Sequence, residues 1–152
     1  MRLGPDERRA LMARFRSTDT HPELALRRAL RIAGIVGYRL HMSKLPGRPD
    51  VAFTRWRVAV FVDGEFWHGH PAVFQFGTKG PYWDAKIARN QARDVASNRA
   101  LSDAGWSVVR FWSRDISRNA PAAVATVSRA LARAGKDAGR GRSAASKIRM
   151  ND

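Results

Sequence analysis

The run Val58-Ala59-Val60-Phe61-Val62, entered from Arg57, constrains the fold more than any other part of the chain. It is apolar at successive positions, so an extended chain here shows an apolar face on both sides. Such a strand is satisfied only inside a sheet that is covered on each face. Asp63-Gly64 closes it. With 152 residues the chain is about one domain long and can bury a core.

The flanking sequence supplies the covering helices. Thr20 reads as an N-cap, with Pro22 in the first turn and Glu23 at capping-box spacing. A helix then runs to about Ala33, with Gly34 ending it and Leu26, Ala29, Leu30 and Ala33 as its buried stripe. A short basic helix is expected before it, over residues 6–16. Tyr38 to Met42 and Asp50 to Phe53 are strand candidates around a Leu45–Pro49 turn. Residues 65–81, rich in aromatics, Gly and Pro, read as an irregular loop. A long helix from Tyr82 to Ala104, a strand from Ser107 to Trp112 and a helix from Asn119 to about Ala134 follow, the last with Val124, Val127 and Leu131 inward. This order predicts one three-layer α/β domain with a central mixed β-sheet over residues 1–134, and a basic, loosely ordered tail over 135–152.

Charge narrows the function. Lys and Arg number 28 against 13 Asp and Glu, a formal charge of +15, which points to a polyanion partner and first to nucleic acid. There is no cysteine, so a disulfide framework, a thiolate zinc site and a cysteine nucleophile are excluded. No apolar run is long enough to cross a membrane. The Arg-studded start, Met1 to Phe15, is not a secretory signal, and a cytoplasmic protein is expected.

Several groups of residues suit phosphodiester chemistry. In Leu45-Pro46-Gly47-Arg48-Pro49-Asp50 a stiff turn delivers a carboxylate to a strand start, as a hard-cation ligand or as a turn cap. Asp63, Glu65, His68 and His70 follow the central strand closely. If the strands at Asp50 and Val62 are hairpin partners, Asp50, Asp63 and a main-chain carbonyl near Val62 can hold Mg²⁺, while a histidine deprotonates water. The competing reading is a solvated polar turn. Phe66, Trp67 and Trp83 are either core or wedges between base steps. Lys86, Arg89, Asn90 and Arg93 share a helix face, suited to phosphates or simply to water, with Asp94 near enough to weaken their field. Glu23 shares the apolar face of its helix, as a capping group or as a ligand to metal-bound water.

Ser17-Thr18-Asp19-Thr20-His21-Pro22-Glu23, Leu45–Asp50 and Val58–Gly69, in this order, resemble the very-short-patch-repair (Vsr) endonuclease family. Tyr82–Ile87, Arg93-Asp94 and Gly105-Trp106 extend the resemblance over about Met12 to Trp112. It implies a restriction-endonuclease-like fold and a bacterial, nucleoid-associated enzyme that nicks DNA at T:G mismatches left by 5-methylcytosine deamination, using Mg²⁺ (or Mn²⁺). By the same resemblance Asp50 and the Val62 carbonyl bind metal, with Asp63 a further ligand or an orienter of His68. His68 is the general base, and Glu23 contacts metal-bound water. Phe66, Trp67 and Trp83 wedge into double-stranded DNA. The expected state is a monomer, with mismatch-repair proteins as possible collaborators.

One departure stands out. The family's structural zinc is held by Cys and His. Here Glu65, Ala72 and Ser113 stand at or near ligand positions, with only His70 matching. No zinc is expected, and packing through Phe74, Phe76 and Tyr82 is a candidate replacement. The alternatives are a nuclease of the same type with another mismatch, modified-base or sequence specificity, and a non-catalytic DNA-binding module.

Overall fold

The computed structural model describes residues 2, 4–7 and 19–135. Residues 5–7 are helical; the rest of the expected basic helix, including its Arg cluster from Arg8 to Arg16, and the tail beyond residue 135 lie outside the described residues.

Helix α1 spans His21–Ile32. Thr20 Oγ1 accepts from the Glu23 amide at 3.3 Å, satisfying one of the amides a helix start leaves open. The helix ends as expected: Gly34 adopts φ 77° and the Ile35 amide returns to the Leu30 carbonyl at 2.9 Å. Leu26 and Leu30 are fully buried, but Ala33 is exposed, because the stripe stops where the chain turns away.

Strands β1 (Arg39–Leu40), β2 (Val51–Phe53), β3 (Val58–Asp63) and β4 (Ser107–Trp112) form one sheet in that order. β1–β2 and β2–β3 are antiparallel; β3–β4 is parallel, with Asp63 opposite Trp112. The hairpin between the Asp50 and Val62 segments is therefore present, with Val51 opposite Val60. β1 is shorter than the expected Tyr38–Met42, since His41 (φ 47°) turns off the extended path. The crossover from β3 to β4 carries α2 (Pro81–Asp103). A short helix, α3 (Ser113–Arg118), follows β4 directly and is not foreseen by the sequence pattern; α4 (Ala120–Arg133) completes the chain, capped by the Asn119 side chain on the Ala122 amide at 3.1 Å.

Alternate residues of β3 serve two separate cores. Val58 and Val60 face α1, α3 and α4, among Leu26, Leu30, Ile116, Val127 and Leu131. Ala59 and Phe61 face the other way, onto Leu101 of α2. Fully burying a side chain of the Val, Leu or Phe type contributes about 1.5–3 kcal/mol, so both layers are firmly held to the sheet. The architecture is the expected restriction-endonuclease-like one: α1, α3 and α4, then a mixed four-stranded sheet, then α2. None of the described helices is long and apolar enough to cross a membrane.

Candidate active site

The Leu45–Pro49 turn delivers Asp50 to the start of β2. Gly47 takes φ 76° with its α-carbon against α2, where a Cβ would lie 2.8 Å from Ser97 and 3.2 Å from Phe61. Glycine is required there for conformation and for space alike. Pro49 is buried, and the main chain at His41 donates to the Asp50 carbonyl at 3.1 Å. Asp50 Oδ2 accepts from the Val62 amide at 2.7 Å, tying the ends of β2 and β3 together. Its other oxygen has no hydrogen-bond partner among the described residues. Burial raises the Asp50 pKa to about 6; the Val62 bond and the charge of His41 oppose the rise, while Glu23 and Asp63 add to it.

Past β3 the chain makes a tight turn that α2 grips. Asn90 Nδ2 donates to the Trp67 carbonyl at 2.9 Å and Gln91 Nε2 to the His68 carbonyl at 3.2 Å. Gly69 (φ 72°) lies so close to α2 that a Cβ would fall 2.3 Å from Gln91 Nε2 and 2.8 Å from Ile87 Cγ2. His68 is thereby fixed. Its Nδ1 meets Asp94 Oδ2 at 2.5 Å, and its Nε2 stands 3.7 Å from Asp63 Oδ1. Burial lowers the His68 pKa, but the Asp94 bond and the charges of Asp63 and Asp94 outweigh it and leave the pKa raised. Asp63 is buried, which raises its own pKa against the pull of His68 and of Arg110, whose Nη1 reaches both its oxygens at 3.0 and 3.1 Å.

Glu23, 1% exposed, anchors a neighbouring cluster. Its carboxylate accepts from the Asp19 amide (3.0 Å) and from Arg27 Nη1 (3.0 Å), and pairs with His41 Nε2 at 2.6 Å. The capping function is thus met on Asp19, one residue before the expected place, while the other oxygen meets both Arg27 and His41.

These groups share one cleft of about 990 Å³, lined by Glu23, Asp50, Val62, Asp63, His68 and Asp94 among others. Of the expected DNA-contacting residues, Phe66, Trp67, Lys86 and Arg93 line it as well. Arg89 and Trp83 do not. Arg89 is exposed one turn away, and Trp83 packs behind the cleft wall, 5.2 Å from Phe66 and 5.8 Å from Trp67 between ring centres.

The family model described as DNA mismatch endonuclease Vsr matches residues 2–73. A type II nicking enzyme of Neisseria meningitidis, V.NmeDIP, is 39% identical over 86% of this chain and 89% of its own length. V.XorIIP of Xanthomonas oryzae, also a type II nicking enzyme, is 42% identical over 76% and 86%. The Escherichia coli DNA mismatch endonuclease Vsr is 33% identical over 66% and 65%. The chain belongs to the Vsr endonuclease family. It is a DNA endonuclease.

In this Vsr endonuclease the positions related to the family's zinc ligands are engaged otherwise. Glu65 Oε2 accepts from the Arg114 amide at 2.7 Å, and Ser113 Oγ donates to the Asp63 carbonyl at 3.2 Å. His70 accepts from the Ala72 amide at 3.0 Å and sets its ring on Trp112 at 4.6 Å. Two groups of His, Asp and Glu lie close enough to share an ion among the described residues, Asp19/Glu23/His41 and Asp63/His68/Asp94; neither includes Glu65 or His70, and Asp50 stands apart from both. The donor set does not fit a structural zinc. Edge-on rings hold the loop instead: Phe74 is buried against both Phe66 and Phe76, and Tyr82 packs on Trp83.

Sequence reasoning missed Asp94, Arg110 and His41 as members of the site. Asp94 reads as a weakness in a cationic stripe, and nothing local links it to a histidine 26 positions earlier. Arg110 did carry a signal. It is a charge among the apolar residues of β4, on a face shared with Val108, and such a charge needs a partner.

Proposed function

We propose that this Vsr endonuclease nicks one strand of double-stranded DNA by Mg²⁺-dependent phosphodiester hydrolysis, at T:G mismatches arising from 5-methylcytosine deamination. The observation that carries the chemistry is the His68–Asp94 pair, set in the same cleft as a desolvated Asp50 with one open oxygen. That oxygen suits a hard divalent cation, whose charge would also relieve the repulsion from Glu23 and Asp63 that helps raise the Asp50 pKa. Asp50 and the Val62 carbonyl would hold the ion, and Glu23 would meet its water. Bound there, Mg²⁺ would supply Lewis-acid polarisation of the scissile phosphate.

The protein groups do the rest. Asp94 holds the His68 Nδ1–H, which leaves the Nε2 lone pair facing the cleft. Nε2 takes a proton from water as the water oxygen bonds to phosphorus, and the phosphorus–oxygen bond to the leaving strand end breaks. The imidazolium so formed lies beside Asp63 and Asp94. Both oxygens of Asp63 are engaged by Arg110, which supports its role beside His68 over a ligand's role. Phe66 and Trp67 would enter the duplex with Trp83 behind them, and Lys86 and Arg93 would hold phosphates.

Mismatch recognition is supported by the name of the Escherichia coli relative. One feature favours a second reading, in which the same chemistry serves another mismatch, modified base or sequence: the loop beside the aromatic shelf is built from rings and hydrogen bonds in place of a metal site. Nicking assays decide between them. We expect cuts in T:G duplexes with Mg²⁺, none with EDTA and none by Asp50→Ala. Equal cutting of other mismatches or of methylated matched duplexes selects the second reading. Binding without cuts in any duplex refutes the mechanism.

A further inference from the structure

We infer that Arg110 is a positioning residue that keeps Asp63 from capturing the His68 Nε2 atom. The inference rests on His68 being the water-activating base.

Asp63 and His68 are placed to bond to one another and do not. The separation of 3.7 Å between Nε2 and Oδ1 is beyond hydrogen-bond reach. Both Asp63 oxygens are instead taken by Arg110 Nη1. The guanidinium is held by further groups: Nε donates to Asn98 Oδ1 at 2.7 Å, the Phe61 ring centre lies 4.0 Å from its central carbon, and Asp94 Oδ1 is 3.6 Å from Nη1. A group held by four partners is preorganised, and it spans both acids that flank the histidine.

Remove the guanidinium and Asp63, 8% exposed, loses its closest cation. An uncompensated buried carboxylate is costly, and His68 Nε2, 3.7 Å away, can relieve it once it takes a proton from solvent. A small rotation would then bond that Nε2–H to Asp63 and hold protonated the lone pair that water needs. Arg110 thus maintains a gap between a buried acid and a base that would otherwise close on each other.

The test is steady-state nicking of a cleaved duplex by the full-length enzyme and by Arg110→Met, Arg110→Lys, Asp63→Asn and Arg110→Met/Asp63→Asn. Circular dichroism checks folding, and Mn²⁺ titration reads the metal site. Arg110→Met should lose about 10- to 100-fold in kcat, the usual effect of deleting a group that orients an active-site residue, with KM for DNA unchanged. Arg110→Lys should fall between it and the wild type. The double variant should regain most of the lost kcat, because the captor is gone, and Asp63→Asn should bind Mn²⁺ as the wild type does. Loss through KM alone would make Arg110 a DNA contact and overturn the inference, as would a double variant no better than Arg110→Met, or loss of Mn²⁺ binding in Asp63→Asn. If Arg110→Met does not fold, the kcat of Arg110→Lys with and without Asp63→Asn decides the question in the same way. A wild-type enzyme that cuts while His68→Ala cuts equally well refutes the underlying base assignment instead.

Discussion

His68 meets acids at both ring nitrogens, and its chemistry follows from the difference between them. Asp94 is bonded; Asp63 is near but not bonded. With His68 as the base proposed above, the raised pKa means that its lone pair is already protonated at a pH above 6.5, the ordinary value. Nicking should therefore fall as pH drops through a midpoint above 6.5, and Asp94→Asn should move that midpoint to lower pH while reducing the plateau kcat about 10- to 100-fold. A pH–rate profile of both proteins checks this. For Asp50 the raised pKa is read in stability. Its pKa rises from 3.8 to about 6 on folding, so the folded chain binds the proton more tightly and loses stability as pH rises through that interval. Without metal, Asp50→Asn should be more stable than the wild type at pH 8, by up to about 3 kcal/mol, with the gain gone by pH 3. Denaturant titration at the two pH values reads it. Asp50 and His68 were legible because their local motifs are dense. Asp94 and Arg110 were not, since their meaning depends on partners brought near by the crossover.

At the level of elements, the helices with explicit start and stop signals were the most readable. Thr20, Pro22 and Gly34 mark α1, and Gly105 (φ 87°) closes α2. Helix α3 escaped because it begins without a break after Trp112 and buries a single residue, Ile116, too little for a periodic pattern. The turn over residues 64–70 was legible as a loop but not as a rigid one, because its rigidity comes from Asn90 and Gln91. Gly69→Ala tests that rigidity. The new methyl would strain a positive φ and displace Gln91 from the His68 carbonyl. A loss of about 1–3 kcal/mol is expected in thermal or denaturant unfolding, with a larger relative loss of kcat than of DNA affinity.

For the molecule as a whole, a formal charge of +15 coexists with a cleft rich in carboxylates. Long-range attraction gathers DNA, and the local cations decide how it lies. Lys86 and Arg93 line the cleft and Arg89 does not. Lys86→Ala and Arg93→Ala should each flatten the dependence of log affinity on log salt by about 0.9, the effect of one lost phosphate contact, whereas Arg89→Ala should change it less. Fluorescence anisotropy over a salt series measures all three. The charge and the layer order were plain in the sequence; which cations reach the cleft was not, because a helical stripe is wider than the opening it borders.

The parallel pairing of β3 with β4 sets Asp63 against Trp112 across nearly fifty residues of chain. Until β4 docks, that edge of β3 stays uncovered and Asp63 lacks the guanidinium that engages it, so the cleft is assembled only when two strands distant in sequence have found each other across the α2 crossover.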